Sequence, residues 1–120
     1  MLINISPTLS PDLLFHLRSM GHGEQLILAD ANFPSNKYNK NIIRLDGVNI
    51  PEAAEAILSV FPLDSFSVKN GNFSAYRMEV DNQPKKLTQT HKEFIEIVKK
   101  VSGKNWKVGS IEREEFYTIA

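Results

Sequence analysis

Ser10 to Asp30 reads SPDLLFHLRSMGHGEQLILAD, and the order of residue types along it decides the fold class. Ser10 can cap a helix, Pro11 fits the first helical position, and Asp12 complements the positive end of the helix dipole. Leu13, Leu14, Leu17 and Met20 then recur as one apolar stripe at helical spacing, and Gly21 predicts the stop. Gln25 to Ala29 (QLILA) is a nearly continuous apolar run followed directly by Asp30. That is the pattern of a buried strand with an acid at its carboxyl end.

Working outward, Asn32 to Asn41 holds Pro, Ser and four Asn and reads as a loop. Ile42 to Leu45 predicts a second short strand closed by an Asp46-Gly47 turn. Pro51 opens a second helix with an apolar face of Ala54, Ile57, Leu58 and Phe61, and Pro62 stops it. An Asn70-Gly71 turn leads into a third strand over Phe73 to Val80, with Tyr76, Met78 and Val80 on one side at period two. Thr90-His91-Lys92-Glu93 has capping-box form, and Phe94, Ile97, Val98 and Val101 recur at helical spacing up to Gly103. Trp106 and Val108 suggest one more strand, and Glu112 to Ala120 reads as the first turns of a helix. Helices alternating with short buried strands predict an α/β fold: a central mixed or mostly parallel sheet covered by helices on both faces.

The chain's 120 residues and 13.6 kDa suit one domain spanning residues 1–120, since two halves would each be too small for an adequate core. Fourteen basic and fourteen acidic residues leave a net charge of zero, which removes the broad attraction that drives nucleic-acid binding. With no cysteine, disulfides, thiolate catalysis and cysteine metal sites are excluded. The start, MLINISP, has neither a basic nor an apolar leader region, and no apolar run approaches the roughly 18 residues that span a bilayer. No membrane association and a cytoplasmic location are expected. Lys85 to Lys107 holds seven lysines against Glu93 and Glu96, a net of +5 that the remainder balances with −5. Such a stretch is either a solvated helix face or one half of a head-to-tail subunit contact.

Three residues stand out for chemistry. His22 lies between two glycines at a helix end, where glycine permits positive φ and close ligand approach, and histidine moves protons near neutral pH. The same pattern fits a Schellman-type stop in which His22 caps carbonyls. Asp30, at the end of the expected strand, lies where α/β sheets place ligand groups, although Asp also caps turns such as the one around Asn32. Arg113, in Ile111-Glu112-Arg113-Glu114-Glu115-Phe116-Tyr117, fits a surface ion pair with its neighbouring glutamates. His16 and His91 read as structural. No HxH or HExxH spacing supports a metal site, and no phosphate-binding glycine motif is present.

Taken together, Ser10 to Ser35, Ile42 to Gly47, Phe61-Pro62-Leu63-Asp64-Ser65 and Ile111 to Tyr117 resemble the fucose mutarotase branch of the ribose pyranase and fucose mutarotase family. Met-Gly-His-Gly followed by Asp-Ala-Asn-Phe-Pro carries the likeness; the ribose pyranase branch usually has Leu-Gly-His-Thr-Asp, so Gly23 and Phe33-Pro34 favour the fucose side. The resemblance implies an isomerase that interconverts the α and β anomers of L-fucose, with related sugars as secondary substrates and no cofactor. It implies His22 as proton donor and Asp30 and Arg113 as sugar-binding groups. It also implies homo-oligomeric rings, often decameric, with sites between adjacent subunits. Family members continue past the equivalent of Ala120 through another strand to a Tyr-Gly-Asn tail that completes the pocket, and this sequence stops before it. A noncatalytic monosaccharide-binding or transport-accessory module on the same fold is the competing expectation.

Overall fold

A computed structural model describes residues 2–65 and 73–120, so the expected Asn70-Gly71 turn lies outside the described residues. Helix α1 (Pro11–Ser19) starts as its sequence dictates, with Ser10 Oγ accepting the Leu13 N–H at 3.2 Å, Pro11 in the first turn, and Leu13 and Leu17 buried. It ends differently from the expected glycine stop. Met20 is extended, at φ −74° and ψ 139°, and the left-handed glycine is Gly23, at φ 82°. A single turn, α2 (Ser35–Tyr38), forms inside the expected loop. Helix α3 (Ile50–Leu58) is capped by Asn49, whose Oδ1 accepts the Glu52 N–H at 2.9 Å, and it buries Ala53, Ala54, Ala56 and Ile57. It stops at Leu58 because Pro62 has no N–H for that carbonyl and its ring would collide with it.

Leu9, Leu13, Leu17, Ala56 and Ile57 form the buried cluster between α1 and α3. Leu26 and Leu28 from one flanking segment, and Ile43 and Leu45 from another, lie half-buried against it. These are the two segments expected as strands, and their alternating contacts have the strand period of two. Among the described residues, however, neither joins a strand ladder. Both segments instead lay apolar side chains on the helix core, which corrects the strand expectation. The apolar run in QLILA reports which side chains leave water; a ladder also requires a backbone partner in register, about which the run says nothing.

The ladder that does form is parallel: β1 (Ala75–Met78) pairs with β2 (Val108–Ile111) in the register Ala75 to Val108 through Met78 to Ile111. The class is therefore as expected, helices with a parallel sheet, though the sheet is small. Ala75 and Glu79 are buried, whereas Tyr76 is half-exposed rather than part of an inward face. Its ring packs over its register partner instead. Tyr76 sits opposite Gly109, and a Cβ there would lie 2.6 Å from Phe73 and 2.8 Å from Tyr76, so the two rings cover the glycine. Asp81 and Asn82, both left-handed at φ 52° and 54°, then reverse the chain between Val80 and Gln83, closed by the Gln83 N–H on the Val80 carbonyl at 2.9 Å.

Helix α4 (Gln89–Ile97) carries a capping box, but one residue pair earlier than expected: Thr88 accepts the His91 N–H, and His91 Nδ1 accepts the Thr88 N–H. The helix widens into a π turn over Val98–Ser102, which buries Val98 completely, and ends at Gly103, φ 127°. It packs along α3, with Lys100 reaching Glu55 at 3.1 Å. Helix α5 (Arg113–Ile119) follows β2 after the single residue Glu112, where the sequence predicted a helix start.

Candidate functional site

The Gly-His-Gly turn is closed by Glu24, whose Oε2 accepts the Gly21 N–H at 2.6 Å while its own N–H donates to the Gly21 carbonyl at 3.3 Å. From that turn the chain reaches Asp64, which no local pattern connects to it. Gly23 donates its N–H to Asp64 Oδ2 at 3.2 Å, and His22 Nδ1 lies 3.3 Å from Asp64 Oδ1. One carboxylate thus holds both the backbone and the ring of the turn. The His22 side chain remains 76% exposed while that of Asp64 is 23% exposed, an imidazole open to a ligand on a better-sheltered anchor. With Met20 extended, the helix stop is not of the Schellman type considered for His22. Met20, Gly21, His22, Phe61, Asp64 and Ser65 are among the residues lining an open groove of about 590 Å³.

Asp30 is exposed at the end of the QLILA segment, and its Oδ1 accepts the N–H groups of Asn32 and Phe33 at 2.9 and 3.0 Å. The turn-capping role weighed for it is therefore real, and it has a consequence: the turn delivers Phe33 to an aromatic cluster. The Phe33 ring lies 5.1 Å from Tyr117, 5.5 Å from Phe116 and 5.8 Å from Tyr38, and Tyr38 and Tyr117 are 5.3 Å apart, mostly edge to face.

Arg113 stands on the other side of that cluster. Its guanidinium Cζ is 5.3 Å from the Tyr117 ring centroid, and Nη2 donates to the Tyr117 hydroxyl at 3.3 Å. Its backbone N–H donates to Asn82 Oδ1 at 3.3 Å. Among the described residues it makes none of the ion pairs, so the expected pairing with neighbouring glutamates is not what holds it. The fold thus joins the Asp30 turn to Arg113 through Phe33 and Tyr117, and joins His22 to Asp64. Neither Asp30 nor Arg113 lines the His22 groove.

Sequence reasoning missed Asp64 as a partner of His22 and the convergence of Phe33, Tyr38 and Tyr117. The Asp of Phe61-Pro62-Leu63-Asp64-Ser65, just past a proline-stopped helix, was the available signal for the first. Phe33-Pro34 and Phe116-Tyr117, apolar rings in polar surroundings, were the signal for the second. His91 is structural, as read: burial first, and the nearby Arg77 cation second, lower its pKa below the ordinary 6.5, which suits an Nδ1 that must accept a hydrogen bond. His16 is exposed on α1, edge-on to Phe15 at 5.6 Å. Among the described residues no three His or carboxylate side chains converge as a metal site, and no helix is long and apolar enough to cross a membrane.

Comparison with known proteins extends this geometry. A model of the RbsD / FucU transport protein family matches residues 3–120. The chain is 37% identical over 121 residues to an L-fucose mutarotase of Haemophilus influenzae, spanning all of this chain and 81% of that protein. It is 52% identical over 65 residues to a fucose mutarotase of Danio rerio, covering 52% of this chain and 42% of the relative. The fold superposes on a fucose mutarotase from Streptococcus pneumoniae crystallised with L-fucose, with a TM-score of 0.80 and 33% identity over 98% of this chain and 82% of that one.

Proposed function

The chain belongs to the RbsD / FucU transport protein family, and from that membership together with the anchored, exposed His22 we propose that it interconverts the α and β anomers of L-fucose. Relatives named for this activity, and a similar structure crystallised with L-fucose, favour an isomerase over a noncatalytic sugar binder. The observation that supports the residue-level reading is the Asp64 carboxylate 3.3 Å from Nδ1 of the largely exposed His22, which steadies the imidazole.

The chemistry is proton transfer only. A proton arrives at the ring oxygen, one leaves the anomeric hydroxyl, and the C1–O5 bond breaks to give the open-chain aldehyde. The C1 carbonyl turns, the C5 hydroxyl adds to its other face, and the protons return, so no electrons are gained or lost. His22 serves as the proton donor to the ring oxygen, a role that general acid-base catalysis rewards with about 10² to 10⁴ in rate. Asp30 and Arg113 bind sugar hydroxyls by charge-assisted hydrogen bonds, and because neither lines the His22 groove within one chain, the proposal places the sugar where two copies meet. Asp30 does so while its Oδ1 keeps the turn to Phe33 closed.

The same reading takes residues 1–120 as one domain that acts in the cytoplasm as a homo-oligomer. Leu2, Ile3 and Phe15, exposed by 67%, 87% and 69%, are large apolar side chains suited to cover by a second copy, and the Lys85–Lys107 excess has acidic surface elsewhere to meet. Light scattering at micromolar concentration tests this part, a mass near 13.6 kDa rejecting it. Saturation transfer between the two anomeric proton signals of fucose tests the activity. Exchange faster than in buffer supports the isomerase, and ligand-induced shifts without faster exchange support the binder instead.

A further inference from the structure

Helix α5 begins without a cap of its own: Glu112, at the cap position, makes no side-chain bond to the first turn. The missing partner comes from 31 residues upstream, where Asn82 Oδ1 accepts the Arg113 N–H. Asn82 shares its segment with two further bonds to the same stretch. The Glu79 N–H donates to the Ile111 carbonyl at 2.8 Å, and buried Glu79, 6% exposed, accepts from Ser110 Oγ at 3.1 Å through Oε1. Residues 79–82 therefore grip residues 110–113 at three points across the carboxyl end of the parallel pair. The turn holding Asn82 out for this contact is conformationally committed, since both Asp81 and Asn82 are left-handed, a state that Asn tolerates better than most residues.

We propose that Asn82 is the positioning residue for Arg113, fixing the backbone from which the guanidinium reaches the sugar. This rests on the reading of Arg113 as a sugar-binding group. The guanidinium end is separately steadied by the Tyr117 hydroxyl, so the main-chain end is where a shift of α5 would displace it. Asn82 itself makes no contact with the sugar in this scheme; it acts through Arg113.

Asn82→Gly and Asn82→Asp separate this role from a general structural one. Glycine adopts the left-handed turn freely and lacks the acceptor, whereas aspartate keeps both the turn and the acceptor. Anomer exchange followed against fucose concentration should show Asn82→Gly raising KM by about three- to tenfold with kcat within about twofold, and Asn82→Asp near the parent in both. Arg113→Ala, measured alongside, should raise KM at least as far. If Arg113→Ala raises KM and Asn82→Gly does not, the positioning role is wrong while the reading of Arg113 stands. If Arg113→Ala leaves KM unchanged, the sugar-binding reading falls and takes this inference with it. A loss of kcat and thermal stability shared by both Asn82 variants overturns it as well, because that marks a turn needed only for folding.

Discussion

The turn that carries His22 and the helix that carries Arg113 hold their side chains by opposite means. His22 is anchored by a carboxylate, with Asp64 gripping its ring and the next backbone N–H together. Arg113 is held by neutral groups, an asparagine oxygen at its backbone and a tyrosine hydroxyl at its guanidinium. A proton donor benefits from a fixed ring orientation that a charged acceptor enforces. A binding arginine benefits from partners that position it without neutralising it, so that its charge stays available to a ligand. Under the proposed roles, the two regions would divide the work of one reaction into proton movement and holding.

The hardest test of that division is His22→Gln, which should cut anomer exchange by at least about tenfold, within a general acid-base contribution of roughly 10² to 10⁴, and leave the thermal midpoint near the parent. Unchanged exchange would erase the distinction between the regions. Arg113→Ala and Asp30→Asn should instead act on affinity, weakening fucose binding by about 5- to 150-fold, as expected for loss of a hydrogen bond worth roughly 1–3 kcal/mol. Asparagine keeps an oxygen for the Asn32 and Phe33 N–H groups, so a loss in Asp30→Asn reports the carboxylate charge rather than a broken turn. Normal titration of either variant with fucose would return that residue to a purely structural role.

Smaller still is the expected effect of Asp64→Asn, a drop in exchange rate of about three- to tenfold, because orientation rather than the donor itself is lost. In the His22→Gln background the same change should add almost nothing, since the two act as one unit. An undiminished effect there would mean that Asp64 works on the sugar directly. The least effect comes from outside both regions. The His91 pKa is lowered in the fold, by burial and then by Arg77, so the unfolded chain binds the proton more readily. Its contribution to stability is full above the unfolded value and is lost as pH falls through the folded one. The thermal midpoint should therefore decline with acidification below the ordinary imidazole range, and His91→Gln should flatten that decline; an identical slope in the variant removes His91 as its source.

Much of this was legible beforehand. Helix α1 was readable from Ser10-Pro11-Asp12 and its leucines, and α3 from Pro51 and Ile57, because caps and apolar stripes are local signals. Strand Ala75–Met78 fell inside the expected Phe73–Val80, and Val108–Ile111 begins at Val108, one of the two residues that suggested a strand there. The Gly-His-Gly turn after α1 was visible as a break in the helix, although Gly23 rather than Gly21 supplies the left-handed backbone. The capping box was misplaced by two residues, since Thr88 and Thr90 both offer a hydroxyl and His91 at the third position was not an obvious acceptor.

What the amino-acid order determined by itself was which segments leave water and where helices begin, since both follow from neighbours within a few residues. What the tertiary structure decided was which partners those segments meet. Among the described residues QLILA and IIRL lie on the α1–α3 core without strand pairing, and the Tyr76 ring packs over its register partner Gly109. Asp64 reaches His22 across 42 residues, and Asn82 reaches Arg113 across 31. Each of these contacts joins residues far apart in the chain, and no short-range pattern encodes such a contact because its geometry exists only after the intervening chain has packed.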